Sequence, residues 1–112
     1  MKDQYNFIED FSGVMERLGG NEALLVRLLV KFRDTYRDSR PRLNLLLDTT
    51  EKEEAYRLVH SIKGVSANLG IGELYRCAIS LESRMKADEF TVMKRETEMF
   101  LAELERIIAK IG

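Results

Sequence analysis

Apolar residues recur along this chain at intervals of three and four, the spacing of helices that bury one face. Phe7, Phe11, Val14, Met15 and Leu18 predict a short first helix that stops at Gly19-Gly20. Asn21 is a good N-cap for a second helix, and Glu22 in its first turn suits the helix dipole. Leu24, Leu25, Leu28, Leu29, Phe32 and Tyr36 face the core from it, and the pattern resumes beyond Pro41 with Leu43, Leu46 and Leu47. The proline implies either a kink around Ser39 to Pro41 or two helices meeting there; the reading preferred is one kinked helix running to about Asp48.

Thr49 or Thr50 is the expected cap of a third helix, with Glu51, Glu53 and Glu54 in its first turn. Ala55, Leu58, Val59, Ile62, Val65, Ser66 and Leu69 fall on one face of it, at about 100° per residue. His60, Lys63, Gly64 and Ala67 cluster on nearly the opposite side, looking away from the core. After a break at Gly70-Ile71-Gly72, a fourth helix carries Leu74, Cys77, Ala78, Leu81 and Met85 inward, forming a hairpin with the third. Asp88 or Thr91 is the expected cap of a fifth, with Val92, Met99, Leu101, Leu104, Ile107, Ile108 and Ile111. The expected fold is all-α, an antiparallel up-down-up-down four-helix bundle with a short extra N-terminal helix, in a single domain over 1-112.

Composition narrows the function classes. The chain is 45% hydrophobic and 33% charged, as in soluble globular domains, and 112 residues suffice for one core. Eighteen Lys and Arg against 19 Asp and Glu leave a net charge of -1, so no overall field favours nucleic acid or an anionic membrane. Lys31, Arg33, Arg37, Arg40 and Arg42, interrupted by Asp34 and Asp38, read as a solvated helix face. No apolar run approaches the roughly 18 residues needed to span a bilayer, and MKDQYNFIED lacks a signal-peptide core, which predicts a cytoplasmic protein. The lone Cys77 reads as a small buried hydrophobe. With one Cys and one His predicted to face opposite ways, and the Met residues among core positions, neither a zinc site nor a haem site is expected.

The outward face of the third helix carries the candidate chemistry. A neutral imidazole at His60 offers one ring nitrogen as a nucleophile, and Lys63 can place an ammonium over the same patch. That combination suits a group rich in negative charge, above all a phosphoryl group. Gly64 costs about 1 kcal/mol in a helix interior, which is explained if a side chain there would block a partner's approach to His60. Ala67 keeps the same lane low. Counting back through the Gly70-Gly72 turn brings Glu82 to the level of His60, where it can accept a hydrogen bond from one ring N–H and fix the tautomer. The alternative for Glu82 is a surface ion pair with Lys86 or Arg84. Tyr75 and Ile79 lie near Glu82, either as an apolar rim for a partner or buried against a neighbouring helix. Gly70 is most simply a helix C-terminal cap.

His60-Ser-Ile-Lys63-Gly64, Gly70 ten residues after the histidine, and the later Ala78 and Leu81-Glu82 together resemble the histidine-containing phosphotransfer (HPt) domains of two-component phosphorelays. Arg17-Leu18-Gly19-Gly20-Asn21, followed by Leu28-Leu29 and Phe32, is similar to that family's N-terminal half, so the resemblance spans nearly the whole chain. It implies that His60 is the phospho-acceptor between receiver-domain aspartates, that Lys63 holds phosphoryl oxygens, that Gly64 admits the receiver and that Glu82 orients the ring. It further implies a monomeric relay without autokinase activity, with Mg²⁺ on the partner receiver and no cofactor on this chain. No Gly-rich nucleotide loop or acidic metal-binding cluster appears. Chemotaxis kinase phosphotransfer domains share H-S-I-K-G but usually carry a second histidine three residues before the Glu, where this chain has Ile79. The alternative function is a helical adaptor that docks receivers or other signalling proteins without being phosphorylated.

Overall fold

A computed structural model describes all residues, Met1–Gly112. Six helices succeed one another without a strand: α1 Phe11–Arg17, α2 Glu22–Tyr36, α3 Ser39–Asp48, α4 Lys52–Leu69, α5 Gly72–Lys86 and α6 Lys94–Ile111. Helices α2 and α3 together form one arm of the bundle and α4, α5 and α6 the other three. The packing partners are α4 with α5, α5 with α6, α3 with α4 and α2 with α6, in a body of 43 × 22 × 19 Å. This is the expected four-helix bundle with its small N-terminal helix. No helix is long and apolar enough to cross a membrane.

The core is built from the predicted stripes. Leu25, Leu29, Leu43, Ile62, Leu74, Leu81, Phe100, Leu101, Leu104 and Ile107 are fully or almost fully buried. Some assigned positions differ. Val92 and Met99 are at least half exposed, and the residues next to them, Met93 and Phe100, which the expected stripe omits, take the buried places instead. Val65 and Cys77 are only half-buried, at the edges of their stripes.

The single kinked second helix is replaced by two. Arg37 and Asp38 step out of the helix, Asp38 with φ -100° and ψ 21°, and α3 restarts at Ser39. Pro41 lies in the first turn of α3, where backbone N–H groups have no intrahelical acceptor, so its missing donor costs nothing there. The first bond of that helix is made by the next residue, Arg42 N–H to Asp38 O at 3.2 Å. Ser39, buried at the joint, donates its hydroxyl to Tyr36 O at 2.7 Å and ties the two helices together.

Of the expected N-caps of the later helices, Thr49, Thr50 and Asp88 are used as helix ends and Thr91 lies in the turn before α6. Thr50 has φ 57°, Thr50 N–H bonds Leu47 O and Glu51 N–H bonds Leu46 O, the paired closure of a Schellman motif. The same arrangement recurs at Gly70, where Ile71 N–H reaches Ser66 O, and at Asp88, where Glu89 N–H reaches Arg84 O. Thr50 and Asp88 therefore terminate α3 and α5 instead of starting α4 and α6. Helix α4 begins after Glu51 and α6 after Met93, neither with a side-chain cap.

The first helix is shorter than predicted, starting at Phe11 behind the N-cap Asp10, with Phe7 and Ile8 buried in the preceding turns. This segment clamps the end of the bundle that carries the α4–α5 turn. Glu9 N–H donates to Gly70 O at 2.7 Å, Arg76 pairs with the Glu9 carboxylate at 2.6 Å, and Arg17 donates to Asn68 O at 2.9 Å. Gly70, at φ 69°, is needed twice over: a Cβ there would sit 2.8 Å from both Glu9 O and the Val14 side chain.

Candidate functional site

Burial on one side of α4 dictates what stands on the other. Ala55, Leu58, Val59, Ile62, Ser66 and Leu69 are all 5% exposed or less. Roughly opposite them, the His60 side chain is 56% exposed. The tight turn at Gly70-Ile71 sends α5 back alongside α4, and Glu82 arrives at the level of His60 and Lys63.

Glu82 is 3% exposed, deeper than the flank position the sequence suggests. A carboxylate so placed must be paired, and it is. One oxygen, Oε2, lies 3.0 Å from His60 Nδ1. The other, Oε1, accepts from Lys63 Nζ at 2.8 Å and lies 3.0 Å from Lys86 Nζ. Burial works against ionisation of Glu82, but the donors Lys63, His60 and Lys86 outweigh it and bring the carboxyl down to about 2. The same carboxylate raises Lys86 above the ordinary ammonium range, with the Tyr56 hydroxyl adding a smaller contribution. Arg84, the other proposed ion-pair partner, turns instead to Glu89 and Glu96.

An ionised carboxylate only accepts, so the His60 nitrogen facing it carries the hydrogen. Nδ1–H donates to Glu82 Oε2, and the lone pair of the neutral ring is left on Nε2. The two readings of Glu82, ring orienter and partner of Lys86, hold together, because its two oxygens serve different donors. Lys63 is the residue whose placement departs from expectation: its ammonium is drawn to Glu82 and its side chain is 23% exposed, instead of lying free over the patch.

The approach to His60 is low on one side. Gly64 has nothing within 4 Å of where a Cβ would stand, and Ala67 beyond it is exposed. Across the hairpin, Ile79 is 40% exposed and Tyr75 is half-buried, so Ile79 is the more exposed of the two. On the other side of the histidine the sequence reading missed Tyr56. Its ring stacks on the imidazole with centroids 5.6 Å apart and planes 16° from parallel. The signal was present in the spacing, an aromatic four residues before the histidine on the same helix face.

No group of three or more His, Cys, Asp and Glu side chains is placed to hold a metal ion. The main surface cavities are lined by other residues, so His60 stands on an open surface that a partner must cover for any chemistry shielded from water. A single oriented nucleophile, a neighbouring pair of ammonium groups and an unobstructed helix face suit transfer of an anionic group to and from another macromolecule. No curated protein and no solved structure matched the chain. The family model of the Hpt domain matches residues 27–111, from the second turn of α2 to the end of α6, and includes every residue of the site. With most of its length so matched, the chain belongs to the Hpt domain family, the histidine phosphotransfer modules of two-component signalling.

Proposed function

We propose that this protein relays a phosphoryl group between receiver-domain aspartates through His60 Nε2. Hpt domains are phosphotransfer intermediates that interact with receiver domains of response regulators or kinases. The observation that carries the residue assignment is the 3.0 Å contact of His60 Nδ1 with the buried Glu82 carboxylate, which selects the tautomer whose lone pair is on Nε2.

In the forward step the Nε2 lone pair attacks the phosphorus of an aspartyl phosphate on the donor receiver. The N–P bond forms as the bond from phosphorus to the acyl oxygen breaks, and that electron pair leaves with the receiver's carboxylate. The ring becomes cationic as it accepts phosphorus, and the Glu82 charge beside Nδ1–H stabilises it. The reverse attack, by the carboxylate of a second receiver, completes the relay. Lys63 helps hold the phosphoryl oxygens by turning from Glu82, where Lys86 remains to pair the carboxylate. Gly64 and Ala67 admit the receiver, and Ile79 with the exposed part of Tyr75 borders it.

In this reading the protein is a monomeric, cytoplasmic single domain over 1-112, an intermediate without autokinase activity. It calls for no cofactor of its own, Mg²⁺ being held by the receiver, and its partners are neither nucleic acid nor membrane. Incubation with a receiver carrying labelled aspartyl phosphate tests it. Label should pass to the wild type and not to His60→Gln. Receiver binding without any label on the wild type would instead identify a docking adaptor.

A further inference from the structure

The hydrogen bond to Glu82 fixes one atom of the His60 ring but not the plane of the ring. With more than half of its side chain in solvent, His60 receives little support from the core, and coupled rotation about Cα–Cβ and Cβ–Cγ can tilt the ring about the Nδ1–H···Oε2 axis and redirect Nε2 while the hydrogen bond is kept. Tyr56 supplies the missing constraint. It lies one turn N-terminal to His60, and helical side chains lean toward the N-terminus, so the imidazole rests toward the tyrosine and away from Gly64. The near-parallel stacking of the two rings, 16° apart, is the contact expected of that lean. Tyr56 is itself half-buried and packed against the core, so it forms a fixed platform.

We propose that Tyr56 is a positioning residue for phosphoryl transfer: its ring holds the His60 imidazole in the plane that presents Nε2 toward the open lane over Gly64. The proposal rests on His60 being the phospho-acceptor. The hydrogen bond at Nδ1 and the offset-stacked tyrosine ring, with centroids 5.6 Å apart, together restrict the tilt of the imidazole. The approach is therefore one-sided, walled by Tyr56 and open across Gly64.

The rival explanation is that Tyr56 only adds packing to α4, as aromatic pairs one turn apart do on any helix. Tyr56→Phe keeps the ring and loses the hydroxyl beside Lys86; Tyr56→Leu keeps apolar bulk and loses the stacked face. Both are measured with a labelled phosphorylated receiver at saturating concentration, alongside receiver affinity. The stacked contact predicts that Tyr56→Phe transfers at close to the wild-type rate. Tyr56→Leu should transfer roughly threefold to tenfold more slowly with receiver affinity unchanged.

A spectroscopic readout separates positioning from stability. In the wild type the His60 ring protons should be shifted upfield by the tyrosine ring current, retained in Tyr56→Phe and lost in Tyr56→Leu. A wild-type spectrum without that shift overturns the proposal and requires no variant to fold. So does a Tyr56→Leu protein that transfers at the wild-type rate or loses receiver affinity alone, and so does a Tyr56→Phe protein as slow as Tyr56→Leu, which would move the role to the hydroxyl. Absence of label on the wild type would fail the His60 assignment itself, a result distinct from all of these.

Discussion

Exchanging Glu82 for Gln removes one negative charge from beneath the site while keeping the shape of the side chain, and its effect on stability is set by the linkage between protonation and folding. The carboxyl titrates near 4.5 in an unfolded chain and at about 2 in the folded one. Between those values the unfolded chain binds more protons than the folded protein, so the stabilisation is complete above about 4.5 and disappears as the pH falls through about 2. At about 1.4 kcal/mol per unit, the difference corresponds to about 3 kcal/mol at neutral pH. Glu82 itself is shielded from water, but the His60 and Lys86 side chains are more than half exposed, and water replaces part of what each gains from the carboxylate. The expected loss on Glu82→Gln is therefore about 2 kcal/mol at pH 7.

Urea unfolding of wild type and Glu82→Gln, followed by circular dichroism across a pH series, measures this directly. The wild type should be the more stable at pH 7, and the gap should narrow below about pH 4.5 and close near pH 2. Subtracting the two curves removes the exposed carboxylates whose values are also lowered, Glu9, Asp34, Glu98 and Glu105, because they are common to both proteins. A gap that stays constant from pH 7 to the acid end would refute the charge argument and leave only a packing effect. No gap at pH 7 would show that Lys63, Lys86 and His60 gain nothing net from the buried anion.

The remaining predictions concern the two glycines at either end of the site. Gly64→Ala should stabilise the protein by about 0.5 to 1 kcal/mol, because the added Cβ meets open space within a regular helix. Gly64→Phe should keep the helical circular dichroism spectrum while slowing labelled transfer from a receiver, and unchanged transfer would count against Gly64 as the point of access. Gly70→Ala should lower stability by about 1 to 3 kcal/mol, since it combines a left-handed backbone with a Cβ 2.8 Å from Glu9 O and from Val14; a thermal midpoint equal to wild type would contradict the clamp between the N-terminal segment and the α4–α5 turn.

The features legible in the sequence and those hidden from it have separate physical origins. The inward and outward faces of α4 come from the 3.6-residue repeat, and the pairing of His60 with Glu82 comes from counting ten residues into the hairpin and ten residues out of it. Both are local geometry. Pro41 points to either a kink or a break between α2 and α3, and the sequence favours the kink because Tyr36 and Leu43 are seven residues apart, so the apolar stripe stays in phase across the interruption that the backbone makes. Thr50 and Asp88 were misread because a polar residue between helices suits either a start or a left-handed stop, and only the backbone bonds made by Glu51 and Glu89 distinguish the two. The capture of Lys63 by Glu82 was not legible either. It depends on how deeply the carboxylate is buried, a property set by the packing of α4 on α5.

That dependence makes Glu82 the buried charge through which core packing acts on the site. Leu81 and Met85 on its own helix and Ile62 on α4 are buried in the core, and the packing of α5 on α4 holds Glu82 in place. Once held there, its charge must be met by donors, and those donors come from α4 as well as α5: His60 and Lys63 from one helix, Lys86 from the other. The order of causes therefore runs from apolar packing to a buried anion, and from the anion to the tautomer of His60. A core substitution that slid α5 along α4 by a fraction of a turn would leave an intact bundle in which Nδ1 had no acceptor. Nucleophilicity at Nε2 would fall although no residue touching the phosphoryl group had changed.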